Sequence, residues 1–167
     1  FDLNTVAGAT LTNIEAADTV AGFGLMIMDS VNVDVTNVTT SNNAWGGVSI
    51  QTVNAPTDGV TFNGFFNASE DVPLLLEKDP PTYPDITNVT IPSKFTHIVY
   101  AQRSDGYRQF FYRESLDEAK TFALGLAGAT GPFTYTGAAV YDITGTNYYV
   151  VEGLLIQDAI NAASSGG

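Results

Sequence analysis

A short repeat recurs along the first half of this sequence with a period of about 23 to 26 residues, which lies within the range of known repeat architectures. The triplet Thr12-Asn13-Ile14 returns as Thr36-Asn37-Val38 and again as Thr87-Asn88-Val89, with a second step about twice the first. A degenerate copy, Thr61-Phe62-Asn63, lies where the missing member is expected. Because a fixed period of this kind is the signature of repeat architectures, the first half of the chain is predicted to be a solenoid of stacked coils.

The residues inside each period alternate between apolar and polar side chains. The segments Val31-Asn32-Val33-Asp34-Val35 and Val48-Ser49-Ile50 show this alternation, which predicts strands with one buried face. The strand at 46–50 matches the segment 23–27 one period earlier, and clusters such as Thr40-Ser41-Asn42-Asn43 predict the turns between strands. Short strands and tight turns on this period predict parallel coils about 4.8 Å apart.

These features resemble the right-handed parallel β-helix of the pectin-lyase-like family. The resemblance rests on the Thr-Asn-Ile/Val recurrence, the Gly-Val-Ser-Ile strand and the coil length, and it covers residues 1–92. It implies a structural ladder at Asn13, Asn37 and Asn88, whose side-chain amides would hydrogen-bond between coils. The Asn-X-Ser/Thr sequons at Asn37 and Asn88, unlike the third at Asn67, would then be partly buried. The family contains enzymes, adhesins, tailspikes and stalks, so the resemblance says little about activity.

A small α+β module is predicted over residues 93–152, where the texture of the sequence changes. The Asp105-Gly106 turn predicts a hairpin, and the Ser115 and Glu118 capping box predicts the start of a helix that Gly125 and Gly128 end. The predicted elements form a ββαββ order: strand 96–101, strand 107–112, helix 115–124, strand 138–143 and strand 148–151.

The last segment, residues 153–167, resembles the capping helix that opens many β-helix domains. Leu154, Ile156 and Ile160 are therefore predicted to be an assembly end for an identical or adjacent β-helix unit. One coil buries five or six aliphatic side chains, each contributing roughly 1.5–3 kcal/mol. Ordering about 24 residues costs more than that, at roughly 1–2 kcal/mol each. The open ends of a short solenoid are therefore expected to require a neighbour.

The charge of the chain disfavours two classes of partner. The net charge is −12, with nine acids and no Lys or Arg in residues 1–77 and all six basic residues between Lys78 and Lys120. Nucleic acids and anionic membranes would be repelled, and no apolar run is long enough to cross a bilayer. The absence of cysteine excludes disulfides and thiolate metal sites, and it fits an exported protein. We expect an extracellular location or a cell or virion surface.

No catalytic residue is predicted from the sequence. A pectate-lyase-like mechanism would need calcium and a basic side chain on a neighbouring coil, but residues 1–77 hold no Lys or Arg. Glycoside hydrolysis needs two carboxylates roughly 5–9.5 Å apart, for which Asp29, Asp34 and Asp58 are the candidates. These acids are interpreted as surface residues, and no cofactor is predicted. Calcium bound at an acidic patch stays an open alternative.

Two aromatic groups are the candidates for ligand binding. Trp45 lies in an Asn-Asn-Ala-Trp-Gly-Gly turn and would offer a platform for a sugar. The other group lies on the second predicted hairpin strand, where one face could pack on the helix and the other could meet a sugar or a protein. Its members are Tyr107, Arg108, Phe111 and Arg113.

These observations favour a non-catalytic function. The chain is predicted to be a structural or adhesive repeat unit of an extracellular filament, stalk or surface protein, which joins its neighbours through β-helix ends. Two alternatives stay open: a fragment of a polysaccharide lyase or glycoside hydrolase, and a carbohydrate-binding module that uses the aromatic hairpin. Polysaccharide is the ligand class that both alternatives share.

Overall fold

The computed structural model describes residues 1–80, 84–129, 133–145 and 147–149. The chain divides into two compact units, Phe1–Ser93 and Lys94–Gly167. The protein is mainly β, and its first unit is a β-solenoid of about 3 turns with parallel strands, as the repeat predicts. The capping helix expected at 153–167, with Leu154, Ile156 and Ile160, lies outside the described residues.

Two parallel sheets form the walls of the solenoid. The strands are β1 (Asp2–Asn4), β2 (Ala7–Ala17), β3 (Phe23–Met28), β4 (Val31–Ser41), β5 (Gly46–Thr52), β6 (Thr57–Ala68), β7 (Leu74–Lys78) and β8 (Ile86–Thr87). One wall has the order β1-β3-β5-β7 and the other the order β2-β4-β6-β8. Each coil therefore contributes one strand to each wall, and equivalent side chains from successive coils lie above one another.

Columns of aliphatic side chains fill the interior. Leu3, Ile27, Ile50 and Leu76 occupy equivalent positions in β1, β3, β5 and β7, and the last three are buried. The opposite wall repeats this arrangement. Its columns are Ala9, Val33 and Val60, then Leu11, Val35 and Phe62, then Ile14, Val38 and Phe66. Alternation in the sequence thus places one apolar residue per column in every coil, which is what stabilises the stack.

Single residues in the left-handed backbone region form the corners of the coils. They stack in columns, because each coil turns at an equivalent position. One column contains Gly8, Asn32, Gly59 and Asn88, and a second contains Asn13, Asn37 and Gly64. Glycine and asparagine adopt this conformation more readily than other residues, which explains why the turns are rich in both.

The register corrects two details of the predicted repeat. Thr36 pairs with Asn63 rather than with Thr61, so the second step is longer than the triplets suggest. Thr87 pairs with Asp58, which moves Asn88 to a different corner from Asn13 and Asn37. The β5–β6 turn contains extra residues that a constant period does not anticipate.

The second unit contains an antiparallel sheet and a helix. Its elements are β9 (His97–Arg103), β10 (Arg108–Arg113), α1 (Leu116–Ala127), β11 (Tyr135–Asp142) and β12 (Tyr148–Tyr149). Strand β9 lies between β10 and β11, and β12 pairs with β11. The N-cap residue Ser115 accepts a hydrogen bond from the Glu118 backbone at 3.3 Å, as the capping box predicts. Gly128 is the C-cap, whereas Gly125 lies inside the helix.

Candidate functional site

A cleft of about 520 Å³ opens between two stacked turns of the solenoid. The β4–β5 turn contributes residues 42–45, and the β6–β7 turn contributes residues 69–72. The Gly47 backbone N–H donates to the Val72 carbonyl at 2.8 Å and ties the two turns together. The volume lies within the roughly 300–1,000 Å³ that is usual for small-ligand sites.

Trp45 forms the aromatic side of this cleft. Its side chain is 61% exposed, although the ring makes a T-shaped contact with Phe23 at a centroid distance of 6.2 Å. Its backbone N–H donates to the Gly22 carbonyl at 3.0 Å. The indole is therefore supported from one side while most of its apolar surface stays in contact with water.

Glu70 and Asn43 hold the turns around the cleft in place. The two carboxylate oxygens of Glu70 accept hydrogen bonds from Asn43 Nδ2 at 2.6 Å and from Thr40 Oγ1 at 2.8 Å. Asn43 Nδ2 also donates to the Ala16 carbonyl at 2.9 Å, and its Oδ1 accepts from the Thr19 backbone at 3.2 Å. Three successive coils are thus connected through one buried amide and one carboxylate, which fixes the shape of the cleft.

Other polar groups of the cleft are left for a ligand. Asp71 is exposed and has no hydrogen-bond partner within the described ranges. Asn42 Nδ2 donates to Asp18 Oδ1 at 2.7 Å, so the Asn42 amide oxygen is available as an acceptor. Ser41 also lines the cleft, and so does Ser69, whose hydroxyl donates to the Thr40 carbonyl at 3.5 Å and can still accept. An exposed aromatic ring therefore lies beside several hydrogen-bond acceptors.

Sequence analysis identifies Trp45 but misses the residues around it. The turns at 42–45 and 69–72 share no motif, and their neighbourhood follows only from the register of β4 with β6. The available signal is that the step from Asn43 to Glu70 is longer than the step from Thr19 to Asn43. A constant period hides this difference, because it places the partner of Asn43 too early in the chain.

The predicted asparagine ladder is present over one step. Asn37 Nδ2 donates to Asn13 Oδ1 at 2.9 Å, and Asn37 Oδ1 accepts from the Phe65 backbone at 3.2 Å. Asn88 does not join these residues, since its Nδ2 donates to Asp58 Oδ1 at 2.7 Å. Asn37 is partly buried, but Asn88 is exposed. Gly64 occupies the third position of the ladder. There the backbone N–H of Phe65, and not a side-chain amide, donates to Asn37.

Asp29 is buried and anchors the extra residues of the β5–β6 turn. Its carboxylate oxygens accept from the Val53 backbone at 2.7 Å and from the Asn54 backbone at 3.0 Å. Burial by itself raises the pKa of the Asp29 carboxyl. Hydrogen bonds from the backbone of Val53, Asn54 and Ala55 and from the Asn54 side chain outweigh this effect and hold the pKa below its ordinary value. This carboxylate is engaged in holding a turn.

Asp58 has a similar role nearer the end of the solenoid. The Thr87 hydroxyl donates to Asp58 Oδ1 at 2.7 Å, and so does the side chain of Asn88. These two hydrogen bonds lower the pKa of the Asp58 carboxyl. The third candidate acid, Asp34, is exposed and lies in register with Thr10 and Thr61 rather than with another carboxylate. Within the ranges that the structure describes, no group of three His, Cys, Asp or Glu side chains could hold a metal ion.

The structure buries half of the predicted aromatic and basic set of the hairpin. Phe111 and Arg113 face α1 and contact the Phe122 ring, with a centroid distance of 4.8 Å for Phe111 and 3.7 Å from the Arg113 guanidinium carbon. Both side chains are buried, so neither is available to a ligand at the surface. Tyr107 and Arg108 are partly exposed, and the Arg103 guanidinium lies over the Tyr107 ring at 4.4 Å.

The opposite face of the hairpin is also packed. Tyr100 contacts Phe110 at a centroid distance of 5.2 Å, and Tyr112 contacts Phe95 at 6.2 Å. Burial raises the pKa of Tyr112 to about 12. Sequence alternation can separate the two faces but cannot show what packs on each of them, and only part of the surface expected for sugar stacking stays exposed.

The edge formed by β1 and β2 is a second candidate site. In the described structure, β1 pairs only with β3 and β2 pairs only with β4, so one side of each strand has no strand partner. Leu3, Val6, Ala9 and Leu11 are partly exposed there, although their equivalents in the next coil are mostly buried. An open interior layer and a row of peptide groups are therefore presented at this end.

Comparisons with known proteins assign no relative. No protein-family model, curated protein or solved structure matches this chain. In the parts of the chain that the structure describes, no helix has both the length and the apolar character needed to cross a bilayer.

Proposed function

We propose that this chain is a structural, non-catalytic segment of an extracellular filament, stalk or surface protein. Its coils are of the right-handed, pectin-lyase-like type. The chain joins another β-solenoid layer through the β1/β2 edge. The observation that carries the proposal is the length of this edge, because β2 extends over 11 residues and, among the described strands, pairs on one side only. A strand of this length with one unpaired side is a template for strand addition.

The side chains at the edge support a continued stack. Asn13 accepts a hydrogen bond from Asn37, but its own Nδ2 has no partner among the described residues. Within the ladder, the amide of Asn37 donates toward the preceding coil. A further coil at the edge would supply an acceptor for Asn13 and would cover the partly exposed Ala9 and Leu11.

The edge carries few of the features that prevent association. Soluble proteins protect edge strands with charges, prolines, bulges or inward-facing ionic residues. Strand β2 contains one charged residue, Glu15, and no proline, and its pairing with β4 shows no shift in register. The carboxylates of Asp29 and Asp58 hold turns, which is a structural use of residues that an enzyme would keep free.

The proposal is tested by sedimentation velocity on the full chain over a range of concentrations. The wild-type chain is expected to form larger species as its concentration rises, because a second copy of the chain can occupy the edge. Leu11→Lys places a charge toward the interior, where another layer would bury it, and is expected to keep the chain monomeric. Thr12→Lys adds the same charge on the outward face of the same strand and is expected to assemble as the wild type does.

Two results would overturn this proposal. One is a wild-type chain that stays monomeric at about 100 μM, where even weak self-association with a Kd in that range is visible. The other is equal assembly of Leu11→Lys and wild type. Circular dichroism checks that each variant is folded, and Ala9→Lys provides a second inward-facing charge if Leu11→Lys does not fold.

A further inference from the structure

We propose that the cleft beside Trp45 binds a neutral oligosaccharide built from pyranose sugars. The inference rests on the geometry of the two stacked turns and is independent of how the solenoid assembles. A pyranose has an apolar face of C–H groups and a rim of hydroxyls, so it is recognised by an aromatic ring with hydrogen-bonding groups beside it. The cleft combines these two elements.

Trp45 provides the surface for the apolar face. The electron-rich face of an indole attracts the partly positive C–H hydrogens of a sugar ring, and stacking removes apolar surface from water. Trp45 is 61% exposed, and its T-shaped contact with Phe23 supports one side of the ring. The ring is thus held ready for a ligand before the ligand arrives, which lowers the entropic cost of binding.

The polar groups of the cleft match the hydroxyl rim. Asp71 and the Asn42 amide oxygen accept hydrogen bonds, and sugar hydroxyls donate them. The Ser41 hydroxyl can both donate and accept, whereas the Ser69 hydroxyl donates to the Thr40 carbonyl at 3.5 Å and is left as an acceptor. Because Glu70 and Asn43 already bind each other and their neighbouring coils, they keep these groups at fixed positions rather than contacting the ligand.

The charge around the cleft selects against acidic sugars. Residues 1–77 contain nine acids and no Lys or Arg, and Asp18, Glu70 and Asp71 lie in or beside the cleft. A uronic acid or a sulfated sugar would meet carboxylates with no cation from this part of the chain to compensate them. The ligand class is therefore neutral.

Titration of the full chain with neutral tetrasaccharides tests the proposal. Trp45 is the single tryptophan of the chain, so its fluorescence reports directly on the cleft. We expect cellotetraose, xylotetraose or maltotetraose to shift that emission with a Kd on the order of 0.1–1 mM, the range of a small shallow site. Tetragalacturonic acid is the anionic control and is expected to bind at least tenfold more weakly or not at all.

Variants assign the binding to the cleft, with isothermal titration calorimetry as the readout. Trp45→Ala is expected to weaken binding at least tenfold, Trp45→Tyr to retain part of it, and Asp71→Ala to weaken it about threefold, as the loss of one surface hydrogen bond would. Phe65→Ala is the matched control, because Phe65 is another exposed aromatic residue of the solenoid, 50% exposed and outside the cleft. This variant is expected to bind as the wild type does.

Three outcomes would overturn the proposal. They are the absence of binding to every neutral tetrasaccharide at up to about 20 mM, preferential binding of tetragalacturonic acid, and equal affinity of Trp45→Ala and wild type. Circular dichroism confirms that the variants are folded. Trp45→Tyr and Asp71→Ala decide the question if Trp45→Ala does not fold.

Discussion

Single residues in the left-handed backbone region determine where each coil of the solenoid turns. In the column of Asn13, Asn37 and Gly64, the asparagines donate and accept between coils, whereas Gly64 leaves room for the Asn37 side chain. A Cβ atom added at Gly64 would overlap with Asn37 Oδ1. Packing therefore favours glycine at this corner, as does its φ angle of 71°.

Gly64→Ala is expected to destabilise the solenoid more than Gly8→Ala. Both glycines have a left-handed φ, which costs alanine roughly 1–2 kcal/mol at each position. Only at Gly64 does the added atom also displace a ladder side chain, since nothing lies within 4 Å of a Cβ at Gly8. We expect an additional loss of about 1–2 kcal/mol in the free energy of unfolding, measured by chemical denaturation. Equal losses for the two variants would contradict the role given to Asn37.

The lowered pKa of Asp29 predicts that the stability of the folded protein depends on pH. Its pKa is lower in the folded protein than the ordinary value of 3.8, so its contribution is present above about pH 4 and is lost as pH falls through the folded pKa. Asp29→Asn is expected to lower the free energy of unfolding at pH 7 by about 2 kcal/mol, because charge-assisted hydrogen bonds to Val53 and Asn54 are weakened. The difference from wild type is expected to shrink toward pH 3.

Denaturation curves at a series of pH values check this expectation. Asp34→Asn is the control, because Asp34 is exposed and makes no hydrogen bond within the described part of the chain. It is expected to change stability little at any pH. An Asp29→Asn deficit that stays constant between pH 3 and pH 7 would show that the charge of Asp29 is not the source of its contribution.

At the scale of elements, each strand of the solenoid is stabilised by the strands above and below it. Ile50, in the interior of the stack, is fully buried between Ile27 and Leu76, whereas Leu3 occupies the same column at the open edge and is only partly buried. The same type of side chain therefore has different surroundings according to its coil. Stability is expected to depend on position along the stack, as in other repeat proteins.

Ile50→Ala is expected to cost about 3–4 kcal/mol, because it leaves a cavity between two packed coils. Leu3→Ala is expected to cost about 1 kcal/mol, since part of its surface is already in water and no cavity is enclosed. Chemical denaturation at a low protein concentration, where the edge is not covered by another copy, measures both values. A cost for Leu3→Ala equal to or above that for Ile50→Ala would contradict this account of the column.

The sequence predicts elements better than it predicts their neighbours. Alternation locates β4 and β5, and the capping box at Ser115 locates the start of α1. These signals are local, since each is written within a short segment of the chain. The register of one coil on the next is not local, and the longer step from Thr36 to Asn63 is enough to assign Asn88 to the wrong corner.

The residues of the candidate site can likewise be predicted from the sequence only where the signal is local. Trp45 is accessible to sequence analysis because an aromatic residue in a glycine-rich turn is conspicuous. Glu70 and Asp71 come from the next coil and can be found only with the correct step. Phe111 and Arg113 are misplaced for another reason: the pattern of a strand gives its two faces, but not what covers each face.

At the scale of the whole molecule, the two units differ in charge and in construction. The solenoid contains nine acids between positions 1 and 77 and gains its order from parallel stacking of coils. The second unit contains most of the basic residues and pairs its strands antiparallel. Charge and strand direction thus distinguish the two units.

The coils of this solenoid differ in length but share their corners. The spacing between successive members of the column Gly8, Asn32, Gly59 and Asn88 increases at each step along the chain. The surplus lies in outward loops such as residues 53–56, where the Asp29 carboxylate holds the loop backbone. A loop of this kind can accept insertions or deletions while the interior columns keep their alignment, so the outer surface of the molecule is free to diversify around an unchanged core.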